Sequence, residues 1–189
     1  MPVPPRPHVL GIDDGPFEKG RDPDTALVAV MTEGHDLVEG VAIRRFPIDG
    51  DDVTGFLADW IGVLRFRPAV QCVALGGLTM AGLAVVDLEL LARDTGLPVL
   101  AVNRRDPAHH RVGEALRAAG LSDRQALLDR APCSIPLDAG LHVAFAGTGR
   151  EDALALITAS RGKSALPEAL RLAHLIAAAV VRGTSRGRA

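Results

Sequence analysis

The spacing of apolar residues predicts that the chain begins with three antiparallel strands. Residues 8–13 ("HVLGID") form an apolar run, residues 23–34 alternate and are rich in Val, and residues 35–49 repeat this pattern. A short link joins the second stretch to the third. The loop "DGPFEKGRDPD" joins the first to the second and consists largely of turn-forming Gly, Pro and Asp. Both connections favour hairpins.

After residue 50 the pattern changes to helices that alternate with buried strands. Residues 51–67 carry apolar side chains at helical spacing, with Asp51 or Asp52 as a natural N-cap. Continuous apolar runs at 69–77 and 97–105 predict buried parallel strands. We expect a hairpin over 133–148, and helices at five places, namely 80–96, 107–120, 122–131, 150–160 and 167–183.

This order of elements predicts an α/β fold with a mixed sheet, in which three antiparallel strands precede parallel strands and helices cover both faces. The ribonuclease H-like fold has this order, and in it the first strand is central and lies beside the fourth. The length of 189 residues fits a single ribonuclease H-like domain over 1–189, with a Pro-rich lead at 1–7.

Composition narrows the classes of function. Hydrophobic residues make up 48% of the chain, which is enough for a core. The net charge of −2 does not indicate a strongly basic nucleic-acid-binding surface. Aromatic residues make up only 3%, so no stacking platform for single strands is expected. Cys72 and Cys133 have apolar neighbours and predict buried thiols. Without a signal-like segment or a membrane-length apolar run, we expect a cytoplasmic protein.

Two adjacent carboxylates, Asp13 and Asp14, stand at the end of the first predicted strand. Such residues shape turns, and they also hold divalent metals over a substrate. Because successive strand residues point to opposite faces, only one of them can face a given metal. We expect Asp13 to be the ligand and Asp14 to support it or cap the turn.

A second acidic group follows the third predicted strand, in "IDGDDVT". Helix capping explains Asp49, Asp51 and Asp52 by itself. In the expected fold, however, this stretch lies near the ends of strands one and four, so Asp13, Asp49 and Asp52 are predicted to share Mg²⁺ or Mn²⁺ as a catalytic site.

Strand four departs from that pattern, because it ends in Gly76 and Gly77 where a third carboxylate would stand. Glycine permits close backbone approach but offers no side-chain ligand. Asp87 or Glu89 would have to replace that carboxylate, or the site would work without it.

His174 and several arginines complete the candidate site. His174 lies in an apolar helix, as either a core histidine or a general acid or base. The arginines predicted to contact nucleic-acid phosphates stand at a strand end and in the C-terminal segment, and they are Arg104, Arg105, Arg171, Arg186 and Arg188. A solvated, frayed terminus is the alternative for the last of them.

Four stretches together resemble the "domain of unknown function ninety-nine" family, endonuclease V-like proteins with endonuclease dU activity. They are "LGIDDGPF", "IDGDDVT", "LGGLTMAGLAVVDLELLARDTGLPVLAVNRRDP" and "PEALRLAHLIAAAVVRGTSRGRA". The resemblance implies a ribonuclease H-like fold and metal-dependent cleavage of damaged duplex DNA beside a deaminated base, with deoxyuridine as the lesion.

Carried over to this chain, the resemblance gives Asp13 the role of the first-strand metal carboxylate, Asp49 and Asp52 that of the acidic pair, and His174 and Arg171 those of the late helical motif. The family carries "LDG" where this chain has "LGG" at residues 75–77. The alternative is therefore a catalytically impaired relative that binds nucleic acid or a protein partner.

Overall fold

A mixed seven-stranded sheet forms the centre of the protein. The computed structural model describes residues 3–104 and 109–186. Within them, the strands in order across the sheet are β3 (Leu37–Pro47), β2 (Asp24–Glu33), β1 (His8–Asp14), β4 (Cys72–Leu75), β7 (Val99–Asn103), β9 (His142–Ala146) and β8 (Ile135–Pro136).

The pairing of these strands confirms the predicted topology. β1, β2 and β3 are antiparallel neighbours, β4 pairs parallel with β1, and β7 pairs parallel with β4. β9 runs antiparallel to β7 and forms the predicted hairpin with β8. The first strand is thus central beside the fourth, as in the ribonuclease H-like fold.

Six helices are described, and they flank the sheet. They are α1 (Val53–Gly62), α2 (Leu88–Thr95), α3 (His109–Ala118), α4 (Gln125–Arg130), α5 (Arg150–Ser160) and α6 (Glu168–Arg182). On one face, Leu10 and Ile12 of β1 pack with α1 and α2, whereas Val9 packs with α5 and α6 on the other. Among the described residues, none of the helices has both the length and the apolar character needed to cross a bilayer.

The helix predicted over 80–96 begins eight residues later than expected. Two short strands, β5 (Thr79–Met80) and β6 (Ala84–Val85), occupy the start of that stretch as a hairpin. Ala81 and Gly82 turn it with φ values of 44° and 96°, which a helix does not accept. Asp87 then caps α2 by accepting a hydrogen bond from the Leu90 N–H.

The prediction of two buried thiols is half right. Cys72 is fully buried in β4, whereas Cys133 is exposed in the segment between α4 and β8. The apolar neighbours of Cys133 do not bury it, because that segment crosses the surface.

Candidate functional site

Helix α6 lies close to β1, because Gly11 in the strand and Gly15 just after it face the helix. A Cβ at Gly11 would lie 2.2 Å from the backbone nitrogen of Leu170, and one at Gly15 would lie 3.0 Å from the carbonyl oxygen of Ala177. Two strand residues advance about 6.6 Å, close to the roughly 5.4 Å of one helical turn. Alternate residues of β1 therefore meet successive turns of α6.

Asp13 lies between these two glycines on the same face of the strand, and His174 is the helix residue opposite it. His174 Nδ1 lies 2.8 Å from Asp13 Oδ2. The hydrogen bond to Asp13 raises the pKa of His174, although partial burial acts in the opposite direction. The Asp13 side chain is 15% exposed and the His174 side chain is 66% exposed. The carboxylate therefore lies at the bottom of the site, and the imidazole forms its rim at the surface.

Two adjoining cavities open on either side of this pair. The larger, of about 760 Å³, reaches toward the loop after β1, and the smaller, of about 430 Å³, toward the end of β7. Both are lined by Asp13, Gly76, His174 and Arg186. The carboxyl ends of β1 and β4 thus form the base of an open cleft, the usual position of a site in an open α/β sheet.

Asp14 points to the opposite face of β1. Its Oδ2 accepts a hydrogen bond of 3.0 Å from the Ala81 N–H, in the turn between β5 and β6. Burial, and then the neighbouring charge of Asp13, raise the pKa of Asp14 to about 6. The supporting role predicted for Asp14 agrees with this geometry.

Asp49 anchors the same turn and does not join Asp13. Its Oδ1 accepts a hydrogen bond of 2.8 Å from the Leu83 N–H, and its Oδ2 lies 2.8 Å from Lys19 Nζ. Burial favours a higher pKa for Asp49, but the hydrogen bonds from Lys19 and Leu83 outweigh it and lower the pKa.

Asp51 and Asp52 already have hydrogen-bond partners, in Arg124 and at the start of α1. Asp52 Oδ1 accepts a hydrogen bond of 3.0 Å from the Gly55 N–H as the N-cap of the helix. Asp51 Oδ1 lies 2.6 Å from Nη2 of Arg124, a buried arginine that also donates to the backbone oxygens of Asp49 and Leu83. The capping interpretation of "IDGDDVT" therefore fits the geometry.

The structure does not bring the oxygens of Asp13, Asp49 and Asp52 together. Within residues 3–104 and 109–186, these three do not form a group whose potential ligand atoms all lie within 4.8 Å of one another. The alternation of β1 explains the separation, because it directs Asp13 toward α6 and Asp14 toward the turn that Asp49 holds.

A group that does satisfy this distance comprises His8, Glu33 and Glu39, at the start of β1, the end opposite to Asp13. These side chains already have partners, because Glu33 Oε1 lies 3.1 Å from Arg6 Nε and Glu39 Oε2 lies 3.0 Å from His8 Nε2.

Gly76 lies directly beside the Asp13 carboxylate. A Cβ at Gly76 would lie 2.4 Å from Asp13 Oδ1, so the carboxylate occupies the space that a side chain of β4 would enter. Neither proposed substitute reaches this place: Asp87 lines a separate cavity with Asp52, and Glu89 is exposed in the first turn of α2.

Sequence reasoning missed two residues of the cleft. Asn103, at the end of β7, lines the smaller cavity, and its Oδ1 would lie 3.1 Å from a Cβ at Gly77. A polar residue that closes a buried apolar run was a usable signal. Phe17 lines the larger cavity. Of the six aromatic side chains, it alone packs on none of the hydrophobic clusters.

The predicted basic residues are only partly available to a ligand. Arg104 and Arg186 are exposed and line the cleft. Arg171 also lines it but forms two hydrogen bonds to Glu168, of 2.8 and 2.5 Å, which raise its pKa and neutralise its charge locally. Arg105 and Arg188 lie outside the described residues.

Comparison with solved structures relates the fold to two groups of proteins. A protein of unknown function from Archaeoglobus fulgidus superposes with a TM-score of 0.86 at 30% identity, covering 94% of this chain and 100% of that one. Ciona intestinalis endonuclease V, solved with a 24mer DNA containing an inosine followed by a ribo-adenosine, gives 0.56 at 10% identity over 89% of this chain and 82% of that one. Streptomyces avermitilis endonuclease V gives 0.55 at 19% identity, over 91% and 80%.

Sequence comparison gives the family. The UPF0215 protein of Methanothermobacter thermautotrophicus is 35% identical over 186 residues, covering 96% of this chain and 91% of the relative. Its counterpart in Pyrococcus furiosus is 37% identical over 182 residues, covering 94% of each. The model of the endonuclease dU family matches residues 5–181. The chain therefore belongs to the endonuclease dU family.

Proposed function

We propose that the protein is a divalent-metal-dependent endonuclease that nicks duplex DNA beside a deaminated base, with deoxyuridine as the preferred lesion. Membership of the endonuclease dU family supports nuclease activity, and the shared fold with the DNA-bound endonuclease V of Ciona intestinalis supports DNA as the substrate. The observation that carries the proposal is the Asp13–His174 pair at the base of an open cleft.

The Asp13 carboxylate fits a divalent metal. It is an oxygen donor of the kind that Mg²⁺ prefers, and Mg²⁺ in proteins often has only one or two carboxylates and keeps several waters. When bound, such an ion would stabilise the charge that develops on a phosphodiester. Asp49 and Asp52 would act indirectly, by holding the turn after β5 and the start of α1.

The protein's own residues would orient and protonate the substrate. With Nδ1 held by Asp13, the imidazole of His174 has a fixed orientation at the rim, which suits a proton donor or acceptor. Arg104 and Arg186 line the cleft together with the pair, and their guanidinium groups would bind phosphates of the substrate.

The direct test is nicking of a uracil-containing duplex with Mg²⁺ or Mn²⁺. We expect activity from the native protein and none from Asp13→Asn, with DNA binding retained in fluorescence anisotropy. Asp94→Asn, at an exposed carboxylate on α2 paired with Arg93, is the matched control and should remain active. A duplex that is never cut with either metal would contradict the proposal.

Gly76 favours a second candidate function, that of a non-cutting relative that binds nucleic acid or a protein partner. Because Gly76, just after β4, has no side chain, the cleft lacks the carboxylate that the family resemblance implies at this position. Tight binding of the uracil duplex without cleavage under any metal would support this alternative.

A further inference from the structure

Strand β3 presents an exposed apolar edge. It is the outermost strand of the seven-stranded sheet, so one row of its backbone groups lacks a neighbouring strand. Of the large hydrophobic side chains exposed in the described residues, four belong to β3, each 47–48% exposed, namely Leu37, Val38, Val41 and Ile43. An exposed apolar edge of this kind is a template for pairing with another strand.

The two faces of this edge differ. Val41 and Ile43 pair with Val30 and Val28 of β2, whose side chains pack against α6. Because paired residues share a face of the sheet, Val41 and Ile43 extend the apolar surface beside α6. Gly40 faces α1, where a Cβ would lie 2.5 Å from the ring of Phe66.

Two features bound the part of the edge that can pair regularly. The register between β2 and β3 shifts after Met31, where Gly40 pairs with Met31 but Val38 pairs with Thr32, so Glu39 is an extra residue in a bulge. Pro47, at the other end, has no backbone N–H. The regular edge is therefore short and covers residues 40–46.

We propose that this edge is the interface of a homodimer, in which β3 pairs antiparallel with β3 of a second copy about a twofold axis at Ala42. This register sets Val41 opposite Ile43 of the second copy, and the reverse, so that all four side chains meet on the α6 face. Centring the axis on Ile43 instead would set Val41 opposite Arg45, whose guanidinium already pairs with Asp24.

Charge complementarity supports the same register. Arg44 is exposed on the α1 face and forms no ion pair within the described part of the chain. Centred on Ala42, it would lie opposite Gly40 of the second copy, next to Glu39 in the bulge, whose carboxylate also contacts His8. A cavity of about 600 Å³, lined by Glu39, Gly40, Trp60 and Phe66 among others, gives the Arg44 side chain room at that place.

The oligomeric state of the full chain tests the inference. We expect sedimentation equilibrium to show a monomer–dimer equilibrium between low micromolar and about 0.5 mM protein. Ile43→Lys should weaken the dimer by at least about tenfold. Ala118→Lys, at an exposed residue at the end of α3, should leave it unchanged. Circular dichroism should show that both variants keep the native fold.

A charge exchange and a cross-link test the register. Arg44→Glu should weaken the dimer, and adding Glu39→Arg to that variant should restore dimerisation. Ala42→Cys, in a protein that also carries Cys133→Ser, should form a disulfide between copies on oxidation, because residue 42 meets itself at the axis. A monomer at every concentration, a dimer unaffected by Ile43→Lys, or no cross-link through residue 42 would each overturn the proposal.

Discussion

His174 Nδ1 lies 2.8 Å from Asp13 Oδ2, although 161 positions separate the two residues along the chain. The contact exists because Gly11 and Gly15 let α6 approach β1 closely, on the face to which Asp13 points. This pairing of one carboxylate with one imidazole, rather than a cluster of three carboxylates, is the centre of the candidate site.

Removing the imidazole should slow turnover without removing binding. We expect His174→Ala to lower the nicking rate of a uracil-containing duplex by about 100-fold or more, because a positioned acid or base contributes about that much. His110→Ala, at an exposed histidine of α3, is the control and should be fully active. Single-turnover kinetics separate this loss from weaker binding, and an unchanged rate would remove His174 from the chemistry.

The close packing of α6 on β1 should depend on the absence of a side chain at Gly11. Gly11→Ala would place a methyl group 2.2 Å from the backbone of α6, which cannot give way as a side chain does. We expect a loss of at least about 3 kcal/mol in the free energy of unfolding, measured with urea.

Gly62→Ala is the matched control for that substitution. A Cβ at Gly62, in the last turn of α1, meets nothing within 4 Å. Replacing this glycine should be neutral or stabilise the protein by up to about 1 kcal/mol. Equal effects of the two substitutions would contradict the packing described for α6.

Gly76 should control the position of Asp13. Gly76→Ala would bring a methyl group 2.4 Å from Asp13 Oδ1, so the carboxylate must rotate away from its bond to His174. We expect lower nicking activity and a lower pKa for His174 by NMR, since the hydrogen bond to Asp13 raises that pKa. Gly149→Ala, where a Cβ meets nothing within 4 Å, is the control. An unchanged His174 titration would show that Asp13 does not respond to residue 76.

Asp14 should make the metal-free protein less stable as the pH rises. Its pKa is about 6 in the folded protein and 3.8 as the ordinary value, so the folded state holds the proton more tightly. The stability from this group is complete below pH 3.8 and is lost as the pH rises through about 6, by about 3 kcal/mol at most.

The comparison with Asp14→Asn isolates this effect from other titrating groups. Urea unfolding in EDTA at several pH values should show the variant gaining stability relative to the native protein between pH 4 and pH 7, since its side chain has no proton to lose. A constant difference between the two proteins across that range would show that Asp14 is not perturbed.

Phe17 should stack on a base of the bound DNA. We expect Phe17→Ala to weaken binding of the uracil duplex by about 5- to 100-fold, and Phe17→Trp to preserve it, because stacking contributes about 1–3 kcal/mol. Phe145→Leu, at a ring that packs on the core, is the control. On a duplex with an abasic site, fluorescence anisotropy should show a smaller difference in affinity between the native protein and Phe17→Ala. An equal loss of affinity on both duplexes would show that Phe17 only packs its loop.

The hydrophobic pattern by itself determined most of the elements and their order. The apolar runs of β1, β4 and β7, the alternation of β2 and β3 and the period of α6 predicted the mixed sheet, because burial of one or both faces dictates those patterns. It also placed Asp13 at a strand end. It failed at residues 80–87, where the turn at Ala81 and Gly82 replaces the start of the predicted helix in an apolar stretch that a helix could equally use.

Only the tertiary structure decided which polar groups meet. The sequence placed Asp13, Asp49 and Asp52 near one edge of the sheet. The Asp13 side chain points toward α6, however, and this direction separates it from the other two. Asp49 and Asp52 stabilise a turn and a helix start through contacts with Leu83 and Gly55. Hydrogen-bond partners depend on distances of a few ångströms between distant segments, and a one-dimensional pattern of apolar and polar residues does not contain those distances.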